Sequence, residues 1–217
     1  MSNSSIHAVQ FAPTTDAGRS IVEVVTGFLG CELGHNEKPL RSFLARGIDN
    51  PGMLLSKKVS TCGLFALAVY HALEIQHHLA SEPYIVNGKS CGKAITWLVQ
   101  MAQDLEAIRT PSKDGPPPVG ALCHYFHHGQ PDDHVEFVMT PPQRALHQWM
   151  CQHAGGGRAN CGIGQGYSNL LWSFGRPLQQ WFDPDAMLGN SEPTHEINDT
   201  SELPSSTASD VEPHFGL

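Results

Sequence analysis

From position 21 to position 105 the apolar residues recur every three or four places, and beyond position 120 they gather in short runs. Ile21, Val22, Val24, Val25, Phe28 and Leu29 have helical spacing, which stops at Gly30. After the loop Gly34-His35-Asn36, Pro39 to Arg46 predicts a second short helix closed by Gly47. Residues 48–58 lead to a third, apolar helix that begins near Cys62 and runs to about Leu79. Asn87-Gly88 marks a turn, and Ile95, Leu98, Val99, Met101, Ala102 and Leu105 give Ala94 to Ile108 a further helical period. The stretch from Lys113 to Gly120, with Pro116-Pro117-Pro118 inside it, reads as a loop that continues neither helix nor central strand.

Beyond that loop the predicted elements are strands: Ala121 to Phe126, His134 to Met139, Leu146 to His153 and Tyr167 to Phe174, divided by Gly, Pro and Asp clusters. Gly162, Gly164 and Gly166 read as a turn between strands. Helices followed by antiparallel strands is an α+β order. The ends differ from this body, with residues 1–18 expected to be a flexible leader and 189–217 an acidic, disordered tail of Ser, Thr, Pro and carboxylates. One domain, 19–188, lies between them.

The charge balance separates the tail from the body. The net charge is −8, yet eight acidic residues and no Lys or Arg lie from Asp183 onward, so the preceding thirteen acids balance all thirteen bases. A neutral body lacks the basic footprint that nucleic acid requires. No apolar run approaches the roughly 20 residues of a membrane span. Cys31, Cys62, Cys91, Cys123, Cys151 and Cys161 show no short paired spacing, and Met1 to Arg19 has no apolar core of a secretory segment. Synthesis in a cytoplasm with mostly reduced thiols is expected.

Among these thiols Cys62 stands out. It follows Val59-Ser60-Thr61 and opens an apolar helix, where unpaired N–H groups and the helix dipole favour thiolate. A nucleophile also needs a base, and His134, 72 residues on at the start of a predicted strand, can take and return a proton. Other combinations point nowhere comparable. Cys123-His124, His127-His128 and Cys151-Gln152-His153 lack the spacing of a closed zinc site. His134-Val135-Glu136 matches half of a zinc deaminase signature, but no Pro-Cys-x-x-Cys follows. Trp97, Trp149, Trp172 and Trp181 are expected in the core rather than as ligand platforms.

Taken in order, several of these segments resemble the CHAP and NlpC/P60 superfamily of cell-wall cysteine amidases and endopeptidases. They are Ile21-Val22, Leu29-Gly30, Glu32, His35-Asn36, Ser42 to Gly47, Cys62 to Leu67, Trp97-Leu98, Pro117 to Ala121, Asp133 to Val138, Gly155 to Asn160 and Gly175-Arg176-Pro177. The resemblance implies a papain-like α+β fold, with N-terminal helices packed on a small antiparallel sheet. It implies Cys62 as nucleophile, His134 as base and acid, and no metal or cofactor. The third catalytic position is either His153, at the place of a second histidine on the next strand, or Asn160, near the glycine turn. His153 is preferred, because it ends a strand expected to pair with the one carrying His134.

The implied substrate is peptidoglycan peptide, cut within the stem or at its junction with the sugar. Lacking a signal peptide or wall-binding module, such a protein would reach the wall by lysis or a contractile secretion apparatus; a delivery or immunity partner is not specified. Two positions depart from the family pattern: Ala121 stands for the usual Asp, and Asp133 for the usual Gly. Those departures keep two alternatives open, a catalytically silent binding domain of the same fold and a cysteine hydrolase of another amide.

Overall fold

The computed structural model describes residues 14–32, 37–44, 61–73, 91–126, 133–145, 148–158, 162–173 and 175–189. The leader up to 13, the His127-His128 loop, Asn160, Cys161 and the tail from 190 therefore lie outside the described residues, as do 45–60 and 74–90.

The first helix, α1 (Asp16–Thr26), starts ahead of its periodic stretch because Thr15 Oγ1 accepts the Gly18 N–H at 3.1 Å. Its first turn is polar, so apolar spacing did not reveal it; Ile21 and Val25 carry its buried face. α2 (Glu37–Leu44) buries Leu40, Phe43 and Leu44. α3 (Thr61–Ala72) is enclosed on every side, with residues 62–70 all buried, as a helix apolar all round must be. It packs against α1, α2 and α4 (Cys91–Asp104) and against the sheet. Phe28, Phe43, Phe65, Tyr70 and Phe137 form a run of ring contacts that ties these helices to the sheet.

α4 ends earlier than its period suggests. Ala107 N–H closes on Ala102 O at 2.7 Å and Glu106 takes a φ of 53°, which turns the chain out of the helix. Ile108–Arg109 then forms β1, and Pro111 opens a one-turn helix, α5 (Pro111–Asp114).

The strands are β2 (Leu122–Tyr125), β3 (His134–Val138), β4 (Gln143–Ala145), β5 (Gln148–Arg158), β6 (Gly162–Asn169), β7 (Trp172–Ser173) and β8 (Arg176–Phe182). They form one antiparallel sheet in the order β1-β8-β2-β3-β5-β4, with β6 on β5 and β7 on β8. A last helix, α6 (Pro184–Gly189), packs on α1. The α+β class expected from the element order is present.

One expectation is corrected. Gly162, Gly164 and Gly166 are not a turn but lie within β6, where Gly164 pairs with Gly155 and Gly166 with His153. Ladder bonds to β5 hold this segment extended, and the alternation of Gly with Ile163, Gln165 and Tyr167 puts its larger side chains on one face. A second correction concerns tryptophan: Trp181 is core, Trp97 and Trp149 are half-buried, but Trp172 is 48 % exposed.

Side-chain alternation splits the sheet into two environments. Leu122, Val135, Phe137, Ala154 and Phe182 face the helices and join the main core. Cys123, Tyr125, Val138, Cys151 and Trp181 face the other way, into a smaller core. By the same period of two, His134, Glu136 and His153 share this second side.

Candidate active site

Cys62 is the second residue of α3, inside the turn whose backbone N–H groups have no intrahelical acceptor. Its thiol is buried, 3 % exposed. Gly63 sets how close α4 comes here, since a Cβ at that position would meet Ala94 Cβ and Ile95 Cγ1 at 3.0 Å. His134 opens β3, and a side-chain hydrogen bond joins it to Cys62. The thiol and imidazole that the sequence singled out, 72 residues apart, therefore meet.

Asp133, one of the two departures from the family pattern, sits just ahead of the histidine. Gln180 Nε2 is 3.1 Å from His124 Nδ1, so that nitrogen accepts and His124 Nε2 donates to Asp133 Oδ2 at 3.1 Å. This contact anchors the chain immediately before His134.

His134 also faces a carboxylate. Its Nε2 is 3.3 Å from Glu136 Oε1, two residues along the same strand and hence on the same face. Burial pushes the His134 imidazole down, and the hydrogen bonds and charges of Cys62 and Glu136 more than offset it, raising the group from 6.5 to about 9. Burial pushes the Glu136 carboxyl up, and His134, the His153 charge and the Ser173 hydroxyl outweigh that, leaving it below its ordinary 4.5. The pair is thus an imidazolium beside a carboxylate at neutral pH. Gly155 makes room for it: a Cβ there would stand 3.1 Å from Glu136 Cγ and 3.0 Å from Val135 O.

Glu136 was not among the site residues the sequence singled out. Its sequence signal is a lone carboxylate at the i+2 position from a strand histidine amid apolar neighbours, a pattern that also matches half of a zinc signature. His153 does lie on the strand that pairs with β3, opposite Val138. Its Nδ1 is 3.8 Å from Glu136 Oε2 and 3.3 Å from Tyr125 Oη, and its Nε2 is 3.4 Å from both Cys151 Sγ and Ser168 O. It stands on the far side of the carboxylate that faces His134. Ser173 Oγ donates to Glu136 Oε2 at 2.9 Å, a contact with no sequence signal because β7 arrives from elsewhere in the chain. Asn160, the other candidate for the third position, lies outside the described residues.

The second-face thiols have a different character. Burial raises Cys151 to about 12, with the Glu136 charge adding to the effect, and it pushes Cys123 well up as well. Among the described residues no group of three or more His, Cys, Asp or Glu is arranged to hold a metal ion, and no helix is long and apolar enough to cross a membrane.

A hydrogen-bonded thiol and imidazole, a carboxylate on the imidazole and a helix start whose N–H groups lack intrahelical acceptors can generate a thiolate, hold a developing oxyanion and return a proton. No protein-family model, curated protein or solved structure matches the chain.

Proposed function

We propose that the protein is a cysteine hydrolase that cleaves an amide through Cys62, His134 and Glu136. The observation that carries this reading is the buried Cys62–His134 hydrogen bond backed by Glu136 at 3.3 Å. Cys62 Sγ, its proton passed to His134, attacks the substrate carbonyl carbon. The oxyanion formed lies toward the N–H groups that open α3. His134 then protonates the departing nitrogen, the C–N bond breaks and a thioester remains on Cys62. Water, deprotonated by His134, attacks the thioester; the acid leaves and the thiol is restored. Throughout, Glu136 stays ionised and stabilises the imidazolium, the role a buried carboxylate plays beside a catalytic histidine.

Peptidoglycan peptide is the proposed substrate, supported by the ordered resemblance to CHAP and NlpC/P60 proteins along residues 20–188. The papain-like arrangement belongs to the same proposal. It is supported by the thiol-bearing helix packed on the sheet and the histidine opening a strand.

Purified sacculi incubated with wild type should release soluble muropeptide fragments, and Cys62→Ala should release none. Intact sacculi, with Cys62 still alkylated rapidly, would replace the wall substrate by another amide. The near-complete burial of Cys62 favours a second reading, a silent binding domain; slow alkylation, unchanged in His134→Ala, would select it.

A further inference from the structure

We infer that Ser173 is a positioning residue for this reaction, acting through Glu136: by holding Oε2 it leaves Oε1 to His134. The inference rests on the hydrolase reading above. A carboxylate has two equivalent oxygens and a soft terminal torsion, so a buried one settles where its donors are. Ser173 Oγ is a donor toward an ionised carboxylate and nothing else, and its 2.9 Å bond is buried. The hydroxyl is delivered by β7, a two-residue strand on β8 in which Ser173 faces inward and Trp172 outward.

His153 adds to the same side. The single proton of Tyr125 Oη goes to Leu170 O at 3.0 Å, so toward His153 Nδ1 at 3.3 Å the phenol accepts. Nδ1 thus carries a hydrogen with Tyr125 Oη as its acceptor, and Glu136 Oε2 lies 3.8 Å from the same nitrogen, within reach of its charge but not of a hydrogen bond. The charges of His134 on β3 and His153 on β5 act on Glu136, and the Glu136 charge in turn acts on Cys123 and Tyr125 on β2 and on Cys151 on β5. Only the two imidazoles among them can be cationic. Oε2 therefore has its own donor in Ser173, with the His153 imidazole nearby, and the opposite oxygen remains directed at His134.

The test uses the full chain and an uncharged thiol reagent, iodoacetamide. Alkylation of the Cys62 peptide is followed by mass spectrometry from about pH 5 to 10, a range that brackets imidazole and thiol titration. Wild type, Ser173→Ala, Ser173→Thr and His134→Ala are compared, with thermal unfolding measured alongside. Ser173→Ala is expected to slow Cys62 alkylation near neutral pH about tenfold, the worth of one hydrogen bond to a charged group. It should also move the limb that reports His134 about one unit toward acid. Ser173→Thr, which keeps the hydroxyl, should restore both. A purely structural role would alter melting and leave the shape of the profile in place.

A Ser173→Ala profile that overlays wild type overturns the inference while the reactive pair stands. So does a folded Ser173→Thr that restores nothing. If Ser173→Ala does not fold, Ser173→Cys, a weaker donor, takes its place: an intermediate rate supports the inference and an unmoved profile overturns it. Equal profiles for wild type and His134→Ala would remove the reactive pair, and the hydrolase reading with it.

Discussion

Among the described residues, two cysteine–histidine pairs place the same side chains in opposite surroundings. Cys62 opens a helix and meets His134, whose other neighbour is a carboxylate; the imidazole is held charged up to about pH 9. Cys151 lies within β5, 3.4 Å from His153, and its thiol is pushed up to about 12. Both thiols are buried, so burial does not separate them. Placement does. The first has the N–H groups of a helix start beside it, whereas backbone N–H groups in a strand are consumed by the ladder. Glu136 widens the gap, because its charge supports the imidazolium at His134 and opposes a thiolate at Cys151. A Cys/His contact is therefore no sign of reactivity until the backbone and the nearest carboxylate are known.

Exchanging the two pairs gives the largest expected effect. His134→Ala should lower amide hydrolysis about a millionfold, the scale on which the base of a triad is lost, while Cys151→Ala should leave the rate within a few-fold. Initial rates of fragment release from one substrate preparation check both. Comparable losses in the two variants would erase the distinction between the pairs.

A smaller effect is expected in the pH dependence of stability. His134 stands at about 9 in the folded protein against 6.5 ordinarily. Its contribution is fully present below pH 6.5 and is lost as pH rises through about 9. The whole of that shift is worth at most about 3 kcal/mol. Cys151, at about 12 against 9.0, adds a second loss at higher pH, shared with the raised groups Cys123, Tyr125 and Tyr70. Urea unfolding along an alkaline series should show both windows. Cys62→Ala, which removes one support of the imidazolium, should flatten the lower window, and Cys151→Ala should trim the upper one. A lower window unchanged in Cys62→Ala would break the link between thiol and imidazole.

The smallest expected effect comes from packing. Gly63→Ala would press a methyl on Ala94 and Ile95, at a cost of about 1–3 kcal/mol for overpacking. It should displace the start of α3 and slow Cys62 alkylation, leaving the surroundings of Cys151 as they are. Thermal melts and peptide-level alkylation read the two effects separately.

Much of this was legible in the chain. The uniformly apolar run after Cys62 could only be an enclosed helix, and the switch to short apolar runs after the proline loop announced the sheet. Cys62 and His134 could be chosen because each carries a local signal, a helix start and a strand start. Element ends were less legible where they rest on one contact, such as the Thr15 cap or the turn at Glu106. The glycines of β6 read as a turn because what keeps them extended is the ladder to β5, a partner that no local window contains.

The third member of the site shows where local information stops. Period-two geometry put Glu136 on the face of His134, yet nothing in the chain said which face the thiol would reach. Ser173 carried no signal at all, since its bond to Glu136 spans 37 positions through the β7–β8 pairing. The order of residues along the chain determined the helix, the strand and the two side chains that begin them, because those depend on near neighbours. The tertiary structure alone decided which carboxylate stands by the imidazole and which thiol has its pKa pushed up by burial and by that carboxylate, because a charge acts over a few ångströms of space and ignores distance in sequence.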